Sequence, residues 1–153
     1  SEAMNATYLD ENGKAQPFIM GCYGIGISRL IAVMVEASND ERGIIWDKKC
    51  APFSVHIIVP DIKNCAALEF ALSLERQLET QGIEVLLDDR AVARYGEKIA
   101  DFELIGMPFG VVIGKDYANS GEVELITRKG LIKEKISAEL VKNKLLELLK
   151  DER

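Results

Sequence analysis

The 153-residue sequence has a single histidine and three cysteines. His56 lies in an alternating segment typical of a strand, where a histidine is more often part of a sheet face than a catalyst. Cys22, Cys50 and Cys65 are an odd number, and their spacing fits neither a Cys-x-x-Cys pair nor a zinc ligand set. These scarcities argue against histidine-centred hydrolysis and predict no metal site.

Long apolar runs are also missing. No stretch approaches the roughly 20 apolar residues that cross a bilayer, and the first residues lack the basic-then-apolar pattern of a signal peptide. We therefore expect a cytoplasmic protein without a membrane partner. The net charge of -6 argues against broad, nonspecific binding to nucleic acid but leaves room for a local basic patch.

The first part of the chain predicts a hairpin followed by a helix. Residues 6–9 and 16–20 flank a loop that contains Asn12-Gly13, a strong hairpin signal. Apolar residues then recur with the spacing of one helix face, at Ile27, Leu30, Ile31, Met34 and Val35. Residues 40–52 are polar and end in Ala51-Pro52, so we predict a connector there and two domains, 1–48 and 49–153.

The second domain is predicted to be α/β. Residues 53–59 and 83–87 read as parallel strands joined by a helix that Asn64 caps and Gly82 ends. A short helix at 97–105, strands at 109–113, 122–127 and 131–136, and a last amphipathic helix follow. Because the later connections are hairpin-length, we expect a mixed five-stranded sheet flanked by helices, preceded by the hairpin and helix.

The densest chemical feature is the glycine turn before the first helix. Gly21, Gly24 and Gly26 lie at a strand-to-helix junction, and Arg29 follows in the first helical turn. Glycines at a helix N-terminus allow close approach of an anion. The order G-x-x-G-x-G differs from the dinucleotide fingerprint, and no Gly-Lys-Ser/Thr follows. Phosphate binding and tight strand–helix packing both remain open from spacing alone.

Residues 21–30 resemble motif 3 of class II aminoacyl-tRNA synthetases, a glycine-rich strand leading into a helix with an ATP-contacting arginine. The segment Met-Gly-Cys-Tyr-Gly-Ile-Gly, residues 20–26, is similar to the corresponding segment of the bacterial-type prolyl-tRNA synthetase family. The similarity continues at residues 40–46, 51–53, 81–90 and 103–108. It covers nearly the whole chain, which makes it far more specific than one glycine motif.

The resemblance implies a proline–tRNA ligase that uses ATP and Mg²⁺, acts on tRNA(Pro) and proline, and forms a homodimer. Arg29 would bind ATP, Gly24 and Gly26 would shape the adenosine floor, and Gly21 and Cys22 would lie near the prolyl side of the pocket. The fold implied is a remnant of the catalytic domain followed by an anticodon-binding domain. Since motifs 1 and 2 are not in this sequence, we expect the isolated chain to be inactive.

The segment from Asp88 to Lys98 is the candidate RNA surface, because it leaves a predicted strand at its carboxyl end. Arg90, Arg94 and Lys98 would track phosphates, and Tyr95 would stack on a splayed base. The alternative is a solvated charged loop and a short helix.

Two carboxylates further along the helix are candidates for reading the anticodon. The resemblance implies guanines in the anticodon, and a carboxylate at Asp101 or Glu103 can accept the N1 and N2 protons of a guanine. Either carboxylate could instead pair with Lys98 or Arg94 without RNA. Arg128-Lys129-Gly130 reads as a hairpin tip with a smaller claim to a tRNA contact.

Two other functions compete with the ligase. One is a stand-alone module of the anticodon-domain type that binds RNA or protein without aminoacylation, which would not need the glycine turn with Arg29. The other is a small-ligand-binding domain of flavodoxin-like topology, which the mixed second half and the lack of a phosphate loop after Val59 disfavour.

Overall fold

The computed structural model describes residues 1–150, which form two compact units, Ser1–Ile31 and a second unit that begins at Ala32. The first unit contains the predicted hairpin, with β1 (Thr7–Leu9) antiparallel to β2 (Ala15–Pro17). Asp10 shapes the loop, because its carboxylate accepts hydrogen bonds from the backbone N–H groups of Asn12 and Lys14. The division between the units falls inside the predicted helix α1 (Ile27–Ala37).

A small hairpin follows α1, in the segment predicted to be a connector. It pairs β3 (Asn39–Asp40) with β4 (Gly43–Ile44). The Asp40 carboxylate closes its turn by accepting from the N–H groups of Arg42 and Gly43. By packing, residues 32–48 belong with the second unit, so the structural division lies earlier than the boundary predicted at 48/49.

The second unit is built on a mixed five-stranded sheet, which confirms the predicted α/β fold. The central strand β5 (Val55–Ile58) runs parallel to β6 (Val85–Asp88) and β7 (Phe109–Val112). The last two strands, β8 (Glu122–Thr127) and β9 (Ile132–Ser137), add antiparallel, giving the order β6-β5-β7-β8-β9. The connection between β7 and β8 is longer than the predicted hairpin, because it contains a short helix, α4 (Lys115–Ser120).

Helices cover both faces of this sheet. The helices α2 (Cys65–Glu79) and α5 (Ala138–Lys150) contribute to the larger core cluster, while α3 (Tyr95–Ile105) contributes to the other. Alternation along β5 explains the division, since Val55 and Ile57 belong to the first cluster and Ile58 to the second. As predicted, Asn64 caps α2 by accepting a hydrogen bond from the N–H of Ala67.

Candidate nucleic-acid interface

The carboxyl ends of β5, β6 and β7 meet at one edge of the sheet, because the three strands are parallel. In open α/β sheets this edge is where ligands bind. The chain leaves β6 into the loop that carries Arg90 and Arg94, and α3 begins directly afterwards at Tyr95. The sequence-predicted surface is therefore an edge of the sheet together with the first turns of α3.

Arg90 joins two carboxylates at this edge. Its Nε and Nη2 atoms donate to the two oxygens of Asp88 at 3.0 and 2.8 Å, and Nη2 also lies 2.6 Å from Asp101 Oδ2. Burial raises the pKa of Asp88, but the hydrogen bonds from Arg90 and the charge of Lys98 more than offset this and hold that pKa at about 2. Asp88 is therefore ionised at neutral pH and keeps Arg90 in place, while about half of the Arg90 side chain stays exposed.

Lys98 lies in the interior, whereas a phosphate contact would have to lie on the surface. Its side chain is fully buried, and its ammonium donates to the carbonyl oxygens of Val59 at 2.7 Å and Asp88 at 3.2 Å. The Asp88 carboxylate lies 3.5 Å away. Strands leave unpaired carbonyls where they end, and a buried carbonyl needs a donor. Lys98 supplies that donor to the Val59 carbonyl and a second donor to the Asp88 carbonyl, which also accepts from the Val59 N–H, so it supports the loop from below and is closed off from RNA.

The other predicted residues separate into two groups along α3. Arg94 and Tyr95 are exposed at its start, where they are open to a ligand. Asp101 pairs with Arg90, and Glu103 pairs with Arg42 at 2.8 Å. Residues two apart on a helix do not face the same side. The structure thus brings Arg90 and Asp101 together but directs Glu103 toward the β3–β4 hairpin.

Arg128 is also not the exposed tip residue that its sequence position indicated. Its side chain is fully buried, and both terminal nitrogens donate to Asp40. The turn between β8 and β9 is formed by a 3-10 segment, Lys129–Leu131, in which Gly130 has a φ of 79°. A φ in this range favours glycine and explains why it lies there.

A cleft of about 430 Å³ opens beside Tyr95 at the same edge of the sheet. Its charged lining consists of Lys115 and three carboxylates, Asp116, Glu122 and Glu124. Lysines from β9 hold two of them: Lys133 lies 2.9 Å from Glu124 and Lys135 lies 2.5 Å from Asp116. Walls of this kind offer hydrogen-bond acceptors to a planar polar ligand and one aromatic ring for stacking.

Sequence reasoning missed these three carboxylates. Asp116 belongs to α4, which was not predicted, and Glu122 and Glu124 were treated only as part of a strand. A signal was nevertheless present, because Gly114-Lys115-Asp116 directly follows a strand that runs parallel to β5. The carboxyl-edge rule applied to that strand would have marked the segment.

The glycine turn lies in the first unit. The carbonyl oxygen of Gly26 accepts from the N–H of Arg29 at 3.0 Å and so starts α1, while Arg29 itself is exposed. A Cβ at Gly21 would come within 2.9 Å of the Tyr23 ring, but that side chain is 98% exposed and can move aside. Gly24 has no neighbour that a Cβ would meet, and Cys22 is an exposed free thiol. Packing within the first unit therefore requires glycine at neither Gly21 nor Gly24.

Residues 1–150 contain neither a candidate metal cluster nor a candidate membrane-spanning helix. No group of three or more His, Cys, Asp or Glu residues that could hold a metal ion occurs in this part of the chain. None of the helices described there is long and apolar enough to cross a membrane.

The sequence of this chain is similar to those of several known proteins. It is 62% identical to a proline–tRNA ligase of Campylobacter fetus over 97% of this chain and 26% of that protein. It is 60% identical to the corresponding ligase of Campylobacter concisus over 90% of this chain and 24% of that protein, and 57% identical to one from Campylobacter jejuni over 98% and 25%. The chain thus spans about a quarter of the length of these curated relatives.

A family model adds the domain assignment. The model described as "Anticodon binding domain" matches residues 54–148, which include the five-stranded sheet, α3 and the cleft beside Tyr95. The match extends over more than half of the chain, and its limits agree with the second unit's core. The chain belongs to the anticodon-binding domain family.

Proposed function

We propose that the second unit binds the anticodon loop of tRNA(Pro), and that the chain works within a proline–tRNA ligase. The observation that carries the proposal is the cleft beside Tyr95, which lies at the ligand-binding edge of the sheet and within the matched family residues. High identity to proline–tRNA ligases over nearly the whole chain supports the choice of tRNA.

The chemistry of the cleft suits guanine better than phosphate. A carboxylate can accept both the N1 and the N2 protons on the Watson–Crick edge of a guanine, and single-stranded RNA is read on such edges with the base stacked on an aromatic ring. Asp116, Glu122 and Glu124 supply acceptors, and Tyr95 supplies the ring. Arg94 is exposed and the Arg90 side chain is about half exposed, so we assign the phosphate backbone of the loop to these two cations.

In this proposal the residues predicted from the sequence divide into supporting and binding roles. Lys98 supports the loop instead of tracking phosphates, because its ammonium is buried. Asp101 positions Arg90, and Glu103 pairs with Arg42, so we give the reading of bases to the cleft carboxylates.

The first unit would supply the catalytic domain's motif 3. Arg29, with Gly24 and Gly26, would contact ATP, and Gly21 and Cys22 would border the proline pocket. Amino acid activation is attack of a carboxylate on the α-phosphate, and it depends on positioned cations, here Arg29 with Mg²⁺. We propose that the whole ligase is a cytoplasmic homodimer, and that the present chain alone does not activate proline.

The test is a titration of this chain with two anticodon stem-loops, one with the proline anticodon and one with both guanines replaced. We expect a preference for the guanine loop. Asp116→Asn should reduce that preference, since an amide offers one acceptor where the carboxylate offers two. Glu134→Gln is the matched control, because Glu134 alternates with Lys133 and Lys135 along β9 and so faces the other side of the sheet.

Equal binding of the two loops, or the same preference in Asp116→Asn as in the unaltered chain, would contradict recognition in the cleft. Titrations at two salt concentrations separate base reading from phosphate attraction, since only the latter falls steeply as salt rises.

A further inference from the structure

Within the second unit, a buried guanidinium joins the hairpin β3–β4 to α3 and to the turn after β8. The Nη1 and Nη2 atoms of Arg128 donate to the two oxygens of Asp40 at 2.8 and 2.7 Å, and its Nε donates to the carbonyl of Glu103 at 2.8 Å. Arg128 begins the turn after β8, Asp40 lies in β3, and Glu103 lies in α3. One side chain therefore joins three elements that are far apart in sequence.

The backbone of the same segment is clamped against the end of α3. The indole N–H of Trp46 donates to the carbonyl of Ile105 at 2.9 Å, and the Trp46 backbone N–H donates to Gly106 at 3.2 Å. A Cβ on Gly106 would come within 1.9 Å of the Ile44 carbonyl oxygen, and one on Gly43 within 2.4 Å of Leu104 Cα. The chain is thus packed backbone to backbone, and no side chain can be inserted between the two.

Only the arginine of this pair is buried, since the Arg128 side chain is fully enclosed while the Asp40 side chain is 36% exposed. Removing a guanidinium from water is costly, and an apolar group of similar size is often as good or better for stability. What a bidentate arginine does supply is a fixed direction, because its planar fork matches a carboxylate in one geometry. The pair at Arg128 and Asp40 therefore points to a need for position.

The location of the Arg128–Asp40 pair indicates which parts of the chain it holds in position. Only two residues lie between the end of α1 and Asp40, and the opposite end of α3 carries Tyr95 beside the cleft. Lys98 fixes the cleft end of α3 to the strand ends, while Arg128 fixes its other end to the chain that leaves α1. A short, rigid helix thus connects the proposed anticodon site with the segment that comes from motif 3.

We propose that Arg128 and Asp40 are positioning residues for the transfer of proline to tRNA. They hold the segment after α1 in one geometry on the anticodon-binding domain, so that a tRNA bound at its anticodon keeps its acceptor end in register with the active site. This inference rests on the proposed ligase function. It assigns the pair no contact with substrate, and it predicts that loosening the pair affects only the step that needs both ends of the tRNA.

The experiment compares Asp40→Asn with the unaltered residue in the ligase-length protein that the proposed function requires. Asparagine keeps the size of the side chain and the oxygen that closes the β3–β4 turn, but it places an amide N–H₂ against the guanidinium. Three quantities are measured: proline-dependent ATP–pyrophosphate exchange without tRNA, affinity for the proline anticodon stem-loop, and kcat/KM for aminoacylation of full tRNA(Pro).

We expect exchange and stem-loop affinity to stay within about twofold, while kcat/KM for aminoacylation falls by about 10- to 100-fold, the cost of a small misplacement of reacting groups. Arg128→Lys should behave in the same way, because lysine keeps the charge and loses the fork. Arg42→Gln is the matched control on the same hairpin, since it breaks the pair with Glu103 through an arginine side chain that is largely exposed, and it should change none of the three quantities.

Two results would overturn the inference. If stem-loop affinity fell as far as aminoacylation, the pair would merely support the anticodon site; if aminoacylation were unchanged in both variants, the fixed geometry would have no role in transfer. A failure of the unaltered protein to bind the stem-loop or to charge tRNA is a distinct outcome, which would overturn the proposed function and this inference with it.

Discussion

The two compact units differ in how far their apolar residues are buried. In the first unit none of the residues from Ser1 to Ile31 is buried, and Ile19, Tyr23 and Ile25 are 101%, 98% and 78% exposed. In the second unit whole faces of strands and helices reach zero exposure, as at Val55 and Leu145. The second unit therefore contains its own core, while the apolar side chains around the glycine turn lack one. The matched family residues lie entirely in the unit that has the core.

The largest expected effect tests where the stability lies. Phe102→Ala removes a fully buried ring that packs 5.8 Å from His56, and it should lower the free energy of unfolding by about 3 to 5 kcal/mol. Ile25→Ala in the first unit should change it by less than about 0.5 kcal/mol, because Ile25 is exposed. Urea unfolding followed by circular dichroism measures both. Similar losses in the two variants would break the comparison.

Lys98→Met sharpens the distinction between supporting and binding residues within the second unit. The substitution removes the side-chain donor to the Val59 carbonyl, one of the two donors to the Asp88 carbonyl and the buried positive charge beside the Asp88 carboxylate, so we expect a loss of about 3 to 5 kcal/mol in the free energy of unfolding. Lys63→Met, an exposed lysine, is the control. Full stability together with weakened RNA binding would instead restore Lys98 as a phosphate contact.

The second unit should lose stability as the pH falls from 6.5 to 4, and His56 is the cause. Burial lowers the pKa of His56 from 6.5 to about 4, so across this range the unfolded chain takes up a proton that the folded chain does not. Asp88 acts lower, between its usual 3.8 and about 2, where protonation removes a charge that the fold stabilises. His56→Leu should flatten the upper part of the profile only. An unchanged slope between pH 6.5 and 4 would show that another group controls it.

We expect the smallest effect on stability when residues 1–31 are removed. The second unit should keep its thermal midpoint, and in the intact monomeric chain the amides of residues before about Asp40 should exchange quickly with solvent, since few apolar contacts protect them. Differential scanning calorimetry and hydrogen exchange make the two measurements. Strong amide protection before Asp40 in a monomer would mean that the first unit is better supported than its exposure indicates.

Much of the fold could be predicted from the sequence, because it depends on local patterns. Strand alternation in residues 53–59, the α2 stripe and its Asn64 cap give the β-α-β unit directly. The short helix α4 escaped prediction since Lys115–Ser120 offers too few apolar positions to show a helical period.

The candidate site was less accessible to sequence reasoning. A lysine or an arginine in a polar segment is normally exposed, and nothing local reveals that Lys98 meets a carbonyl 39 residues away or that Arg128 meets a carboxylate 88 residues away. The same holds for the cleft, where Tyr95 and Glu124 come together only after the sheet has formed. Proximity to a strand's carboxyl end could be predicted, but which side chains face the solvent there could not.

Hydrogen exchange of this chain with and without the proline anticodon stem-loop tests the central claim most directly. The account predicts new protection at the start of α3 near Tyr95 and around Asp116 and Glu122, with the glycine turn of the first unit unchanged. Protection confined to the glycine turn, or spread evenly over both units, would contradict an anticodon site at the carboxyl edge of the sheet.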